Sequence, residues 1–192
     1  MKNAFYPMVF RQKYIRRWGL MRNMTEETLS EHSYDVAVLT HALCSIGNSV
    51  FAKSYDTGKA VSYALFHDVQ EVYTGDMPTP AKYYNEEMRS NYAKIEENAS
   101  KQLLTKLPDE LLPVYDDLLH PDRSEYGAIV KAADKLSAYI KCIEELKCNN
   151  NEFKSAAEST LASLNSNPLP ELKYFMEHFL PAFEADLDEL QK

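Results

Sequence analysis

The sequence predicts an all-α fold from three observations. Apolar residues recur at the helical period along the whole length, β-branched alternation is nearly absent, and only five of the 192 residues are glycine. Apolar side chains make up 45% of the chain and aromatic ones 11%, enough to bury a sizeable core. No repeat, low-complexity stretch or long linker divides it, so residues 1–192 read as one domain. Periodicity supports about seven to eight helices.

A first helix is expected over residues 3–16. The second begins at Thr28, where TLSE sets Glu31 at capping-box spacing, and ends at Gly47. Asp56 caps a third that runs to the His67-Asp68 pair, with a short helical turn after it. Pro80 opens a long helix over 81–107, which Pro108 closes. Helices over 109–119, 123–147, 152–165 and 169–189 follow, separated by the HPDRS, CNNNE and NSNP turns.

Charge narrows the function. The chain has 29 acidic and 21 basic residues, a formal charge of −8, which excludes polymeric nucleic acid or an anionic membrane bound through a basic surface. A small anionic substrate stays open, because a metal and nearby arginines reverse the sign locally. Cys44, Cys142 and Cys148 have no CxxC spacing and read as reduced thiols, so a cytoplasmic location is expected. The early charges in MKNAFYPMVFRQKYIRR leave no secretory apolar core, and no apolar run approaches the roughly 20 residues a bilayer span needs.

Residues 66–84, FHDVQEVYTGDMPTPAKYY, place an imidazole and three carboxylates at the end of an otherwise apolar helix. Ala60, Ala64, His67 and Glu71 share one row, and Val61, Leu65 and Asp68 the next. His32 continues the stripe Val36, Leu39, Leu43 and Ile46, so it faces the core, whereas His41 lies on another face. Two inward imidazoles beside a carboxylate suit a borderline divalent metal. Hydrogen-bonded core histidines with a solvated turn aspartate explain the same pattern, and residue spacing leaves both readings open. Asp134 lies roughly 140° from the stripe Ile129, Ala133, Leu136, Ile140 and Ile143, which puts it in solvent unless its helix is buried on two sides.

A His, an adjacent His-Asp and a distant Asp in an all-helical chain resemble the HD-domain metal-dependent phosphohydrolases. Here they are His32 in SEHSYDVA, His67-Asp68 in FHDVQEVYTGDMPTP and Asp134 in KAADKLSAY. Together with RRWGLMRN, HDVQEVYTGDMPTPAKYY, KAADKLSAYIKCIEEL and NNEF, they are similar to the bacterial 5′-deoxynucleotidase (YfbR-like) branch, from Arg17 to YFMEHFLPAF.

The resemblance implies an HD-domain bundle in which His32, His67, Asp68 and Asp134 hold one divalent cation. Co2+ or Mn2+ is expected, with Zn2+, Cu2+ or Fe2+ as alternatives. The implied reaction is hydrolysis of deoxyribonucleoside 5′-monophosphates, with Glu71 orienting water or relaying a proton and Arg17 orienting the phosphate. His32, Asp68 and Asp134 would also contact substrate, Trp18 would wall the sugar or base pocket, and Asp76 would accept from the sugar 3′-hydroxyl. Met77, Pro78 and Thr79 would form a stiff loop against the nucleoside, with Gly75 permitting a tight approach. A homodimer is implied, to which the apolar C-terminal helix would contribute. His120 reads as structural or solvated rather than as a ligand of a second metal. The rival readings are another HD phosphohydrolase, acting on a triphosphate, cyclic nucleotide or alarmone, and a non-catalytic helical interaction module.

Overall fold

The computed structural model describes residues 2–82 and 84–192; Met1 and Tyr83, which fall within the expected domain and long helix, lie outside the described residues. The described residues form helices and contain no strand, as the helical period predicts.

The expected 3–16 helix is in fact a short α1 (Phe5–Val9) continued by a 3-10 segment, Phe10–Tyr14. α2 (Leu29–Val50) has the predicted capping box: Thr28 accepts from the Glu31 N–H, and Glu31 accepts from the Thr28 N–H. It runs three residues past Gly47. Asp56 caps α3 (Thr57–Phe66), and a turn leads to the one-turn α4 (Glu71–Thr74).

The predicted 81–107 helix is two pieces, α5 (Thr79–Lys82) and α6 (Glu86–Leu104). The break has a local cause: the Asn85 side chain accepts from the Met88 N–H, so Asn85 starts a new helix rather than continuing the old one. α7 (Leu112–Leu118), α8 (Gly127–Lys147), α9 (Lys154–Asn165), α10 (Pro170–His178) and α11 (Leu187–Leu190) complete the chain.

The main core joins α2, α3, α8 and α10 through residues such as Val36, Leu43, Ala64, Ile129, Leu136 and Leu172. A second cluster unites Phe5, Val69, Leu103, Leu107 and Leu119, bringing α1 and α6 beneath α4. A third, Cys142, Phe153 and Ala157, carries Trp18 and Met21 against it. Burial pushes the Cys44 thiol up to about 11 and the Cys142 thiol up to about 12, so both are inert.

Between the 3-10 segment and α2 the chain doubles back. Arg17 N–H donates to Glu27 O at 2.9 Å and Leu29 N–H to Ile15 O at 2.9 Å, which closes residues 15–29 into a loop. Glu145, 1% exposed, anchors that loop: it accepts from the Met24 and Thr25 N–H groups, from Asn150 and from Lys141. Glu145→Ala leaves the Lys141 ammonium buried without its carboxylate, so we expect a loss of ~3–5 kcal/mol in urea unfolding.

Burial pushes the Glu145 carboxyl up, but Lys141, Asn150 and the two N–H groups outweigh it and hold it at about 2. A depressed folded value means the stabilisation is complete above the ordinary carboxylate range and declines as pH falls towards about 2. Glu145→Gln should flatten that acid limb.

Candidate metal centre

Three separate segments meet at one pit. His32 enters from the first turn of α2, its ring fully buried because it continues the apolar stripe of that helix. α3 stops at Phe66, so His67 and Asp68 occupy the turn between α3 and α4. Asp134 reaches in from α8. One ligand atom from each of these four residues lies within 4.8 Å of the other three.

The shortest separations are 3.0 Å from His67 Nε2 to Asp68 Oδ2 and 3.1 Å from His32 Nε2 to Asp134 Oδ1. His32 Nε2 is 3.8 Å from Asp68 Oδ2.

The imidazoles are presented as acceptors. His67 Nδ1 faces Ala64 O at 2.7 Å and can only donate to it, which leaves the Nε2 lone pair pointing into the pit. His32 Nδ1 faces Ser137 Oγ at 3.3 Å and Glu27 Oε1 at 3.6 Å. Both Nε2 atoms are buried without a hydrogen-bond partner among the described residues.

Two carboxylates and two orphaned lone pairs in a largely buried pit call for positive charge, and a mixed nitrogen and oxygen set suits a divalent cation of borderline hardness. A proton is the competing way to supply that charge. Burial opposes a charged His67, yet Asp68 and Asp134 outweigh it and push the imidazole up to about 9. Burial likewise opposes the Asp68 charge, and His67 holds its carboxyl down at about 2.

Asp134 corrects the solvent placement its own stripe implies. α8 buries two faces: the predicted stripe packs on the core, while Val130, Asp134, Ser137, Lys141 and Glu145 form a second row. That row touches His32 through Ser137 and the 15–29 loop through Lys141 and Glu145. Its polar members conceal it from a search for apolar residues. In α3, by contrast, Leu65 on the Asp68 row is 41% exposed, so that row is not the core-facing one.

Arg17 stands at the rim. Its Nη1 is 3.5 Å from Asp76 Oδ1 and 3.9 Å from Asp68 Oδ2, and its Nε donates to Glu27 at 3.2 Å. Burial opposes its charge, but Glu27, Asp134, Asp76 and Asp68 outweigh it, so the guanidinium stays protonated. Trp18 takes a positive φ of 59°, a conformation that costs ~1–3 kcal/mol and is held by its surroundings. Its N–H donates to Asp76, its indole Nε1 donates to Glu27 at 2.7 Å, and its ring packs on Phe153.

Glu71 opens α4 and is 5% exposed, with Oε2 buried and unpartnered. Burial, then Asp68 and Asp76, push its carboxyl up to about 10 against the pull of Arg17 and Lys82. Asp76, Met77 and Pro78 line the connection to α5 and are half-buried, while Thr79 is exposed and begins that helix.

Gly75 also has a backbone reason to be glycine. A Cβ there meets nothing within 4 Å, and glycine is needed for φ +71°. His120 stands outside the pit, with Nδ1 on Asp116 O at 2.6 Å and Nε2 on Glu97 at 3.1 Å. His41 is exposed. Sequence reasoning passed over Glu27, Ser137 and Glu145, since each stands as a lone polar residue with no spacing signal.

The family model for YfbR-like 5′-deoxynucleotidases matches residues 4–183. The chain belongs to the YfbR-like 5′-deoxynucleotidase family. A relative in Shewanella oneidensis named 5′-deoxynucleotidase is 46% identical over 184 residues, covering 95% of this chain and 94% of that protein.

Among solved structures, an HD-domain phosphohydrolase from Listeria innocua superposes with a TM-score of 0.84 at 24% identity, covering 98% of this chain and 92% of its own. A cyanophage S-2L HD phosphohydrolase, bound to dA and one catalytic Zn2+ ion, superposes at 0.65 with 20% identity, covering 96% and 99%. At those identities the likeness is one of fold. This YfbR-like chain thus has the HD architecture, and its candidate metal site is the pit of His32, His67, Asp68 and Asp134.

Proposed function

We propose that this chain, acting as one catalytic domain, hydrolyses deoxyribonucleoside 5′-monophosphates to the deoxynucleoside and inorganic phosphate. The observation that carries the reading is the convergence of His32, His67, Asp68 and Asp134 with both Nε2 atoms buried and unpartnered. Family membership and the name of the Shewanella relative supply the substrate class. A divalent cation, Co2+ or Mn2+ in preference to Zn2+, Cu2+ or Fe2+, supplies Lewis-acid polarisation of the phosphoryl group and a more acidic attacking water.

The chain's own groups divide the remaining work. Arg17, oriented by Glu27, directs its guanidinium edge towards Asp68 and Asp76 and there stabilises charge on the phosphoryl oxygens. Glu71, held in its protonated range by burial, carries a proton at the same edge. Asp76 accepts from the sugar 3′-hydroxyl, with Trp18 and the Met77-Pro78-Thr79 segment enclosing the nucleoside. His32, Asp68 and Asp134 also adjoin the phosphate.

Among the described residues no helix is long and apolar enough to cross a membrane, and a cytoplasmic enzyme acting on free nucleotides fits this. The acidic balance disfavours polymeric nucleic acid. A homodimer joined through the C-terminal segment, where Phe179 and Phe183 are partly exposed, completes the proposal.

Phosphate release from dAMP, dTMP and dCMP beside AMP, with Mn2+ or Co2+ added, tests the reading. Deoxynucleotides should be turned over and AMP should lag. Equal AMP turnover sinks the sugar assignment, and release from triphosphates alone selects the rival HD reaction. Arg17→Ala should lower kcat/KM by roughly 10²-fold. An unchanged value removes Arg17 from the phosphate site.

A further inference from the structure

Glu27 lies outside the four-residue pit, yet it touches three of the groups around it. It is 8% exposed in the 15–29 loop, its backbone carbonyl paired with the Arg17 N–H. Its Oε2 accepts from Arg17 Nε at 3.2 Å and from Trp18 Nε1 at 2.7 Å. Its Oε1 is 3.6 Å from His32 Nδ1. One buried carboxylate therefore faces the rim arginine, the chain's single tryptophan and a candidate metal ligand.

We infer that Glu27 is a positioning residue that couples phosphate recognition to the metal centre, setting the Arg17 fork and the His32 ring through the two oxygens of one carboxylate. This deepens the deoxynucleotidase reading and rests on it. The physical grounds are threefold. Arg17 is largely buried, and a carboxylate on Nε leaves Nη1 to face Asp68 and Asp76. The Glu27 carboxylate beside His32 Nδ1 favours the tautomer with its proton there and leaves Nε2 to face the pit, as an outer carboxylate orients ligating imidazoles. The antiparallel pairing of residues 16 and 28 holds Glu27 across from Arg17, so the register is built into the backbone.

Glu27→Gln keeps the volume and removes the charge. Mn2+ affinity measured by calorimetry without substrate should weaken roughly 10–100-fold. The Trp18 emission maximum should shift, and inorganic phosphate should become a poorer competitive inhibitor, with the melting temperature held. In an Arg17→Ala background Glu27→Gln should no longer affect phosphate inhibition, while the Mn2+ loss persists.

Wild-type Mn2+ affinity and phosphate inhibition in a folded Glu27→Gln protein overturn the inference. So does a loss that tracks melting temperature alone. Should the glutamine variant not fold, Glu27→Asp decides. It retains the charge but withdraws it by one methylene, so Mn2+ and phosphate binding should both weaken at unchanged melting temperature, and wild-type values sink the proposal. Failure of the deoxynucleotidase reading is seen separately, as a wild-type enzyme that binds Mn2+ yet releases no phosphate from dAMP.

Discussion

Asp68→Ala is expected to abolish turnover and stoichiometric metal binding while leaving the helical fold intact. Asp68 Oδ2 lies between the imidazoles, 3.0 Å from His67 Nε2 and 3.8 Å from His32 Nε2. Removing it takes away a candidate anionic ligand and one of the two carboxylates that make the pit attractive to a cation. Loss of several kcal/mol of metal-assisted stabilisation corresponds to at least roughly 10³-fold in rate.

The fold should survive for a local reason. Asp68 sits in the turn between α3 and α4, and what that turn needs from it is its backbone carbonyl, which accepts from the Glu71 N–H. Metal analysis of the purified variant, circular dichroism and dAMP turnover check the three parts together. Retained metal with retained turnover would remove Asp68 from the ligand set, whereas a collapsed dichroism signal would make it structural.

Glu71→Ala should produce the second large effect, with a different signature. The metal stays, because Glu71 is not one of the four converging residues, but kcat falls by roughly 10²–10⁴-fold, the usual contribution of a positioned proton carrier. The carboxyl is buried beside Asp68 and Asp76, and its Oε2 has no hydrogen-bond partner among the described residues. A fold that served stability alone would not keep a carboxyl so placed.

Glu71→Gln refines the result: it preserves a hydrogen-bonding group and removes the proton exchange. Activity lost in both variants identifies a proton relay, while activity kept in the glutamine variant identifies a residue that orients water. Metal lost from Glu71→Ala would move Glu71 into the ligand set or its support.

Much of this was legible because each signal was local. The Thr28 capping box, the Asp56 cap and the apolar spacing of α2 are satisfied within one or two turns, so the spacing of a few residues announces them. His32 was readable as inward-facing because it continues an apolar stripe. Other features escaped for equally specific reasons. Asn85 breaks the long helix by capping the next one, and a short polar side chain looks the same in a helix interior as at its start.

Asp134 illustrates the limit more sharply. Its position was spelled out by the family resemblance, but periodicity placed it in solvent, because α8 packs one face with apolar residues and the other with Ser137, Lys141 and Glu145. Buried polar residues are indistinguishable in sequence from surface ones until their partners are known. Of those partners, Thr25, Met24 and His32 lie far along the chain. Glu27 was missed on the same grounds.

The helical character and the helix starts at Thr28 and Asp56 are written in short-range spacing and residue type, and the motif words carry the resemblance to the HD phosphohydrolases. The packing of the chain is what brings His32, His67, Asp68 and Asp134 into one pit, sets Arg17 against Glu27 and gives Gly75 its positive φ. Convergence of distant residues depends on how α2, α3 and α8 pack, and burial changes the charge preference of a side chain only once its neighbours are in place.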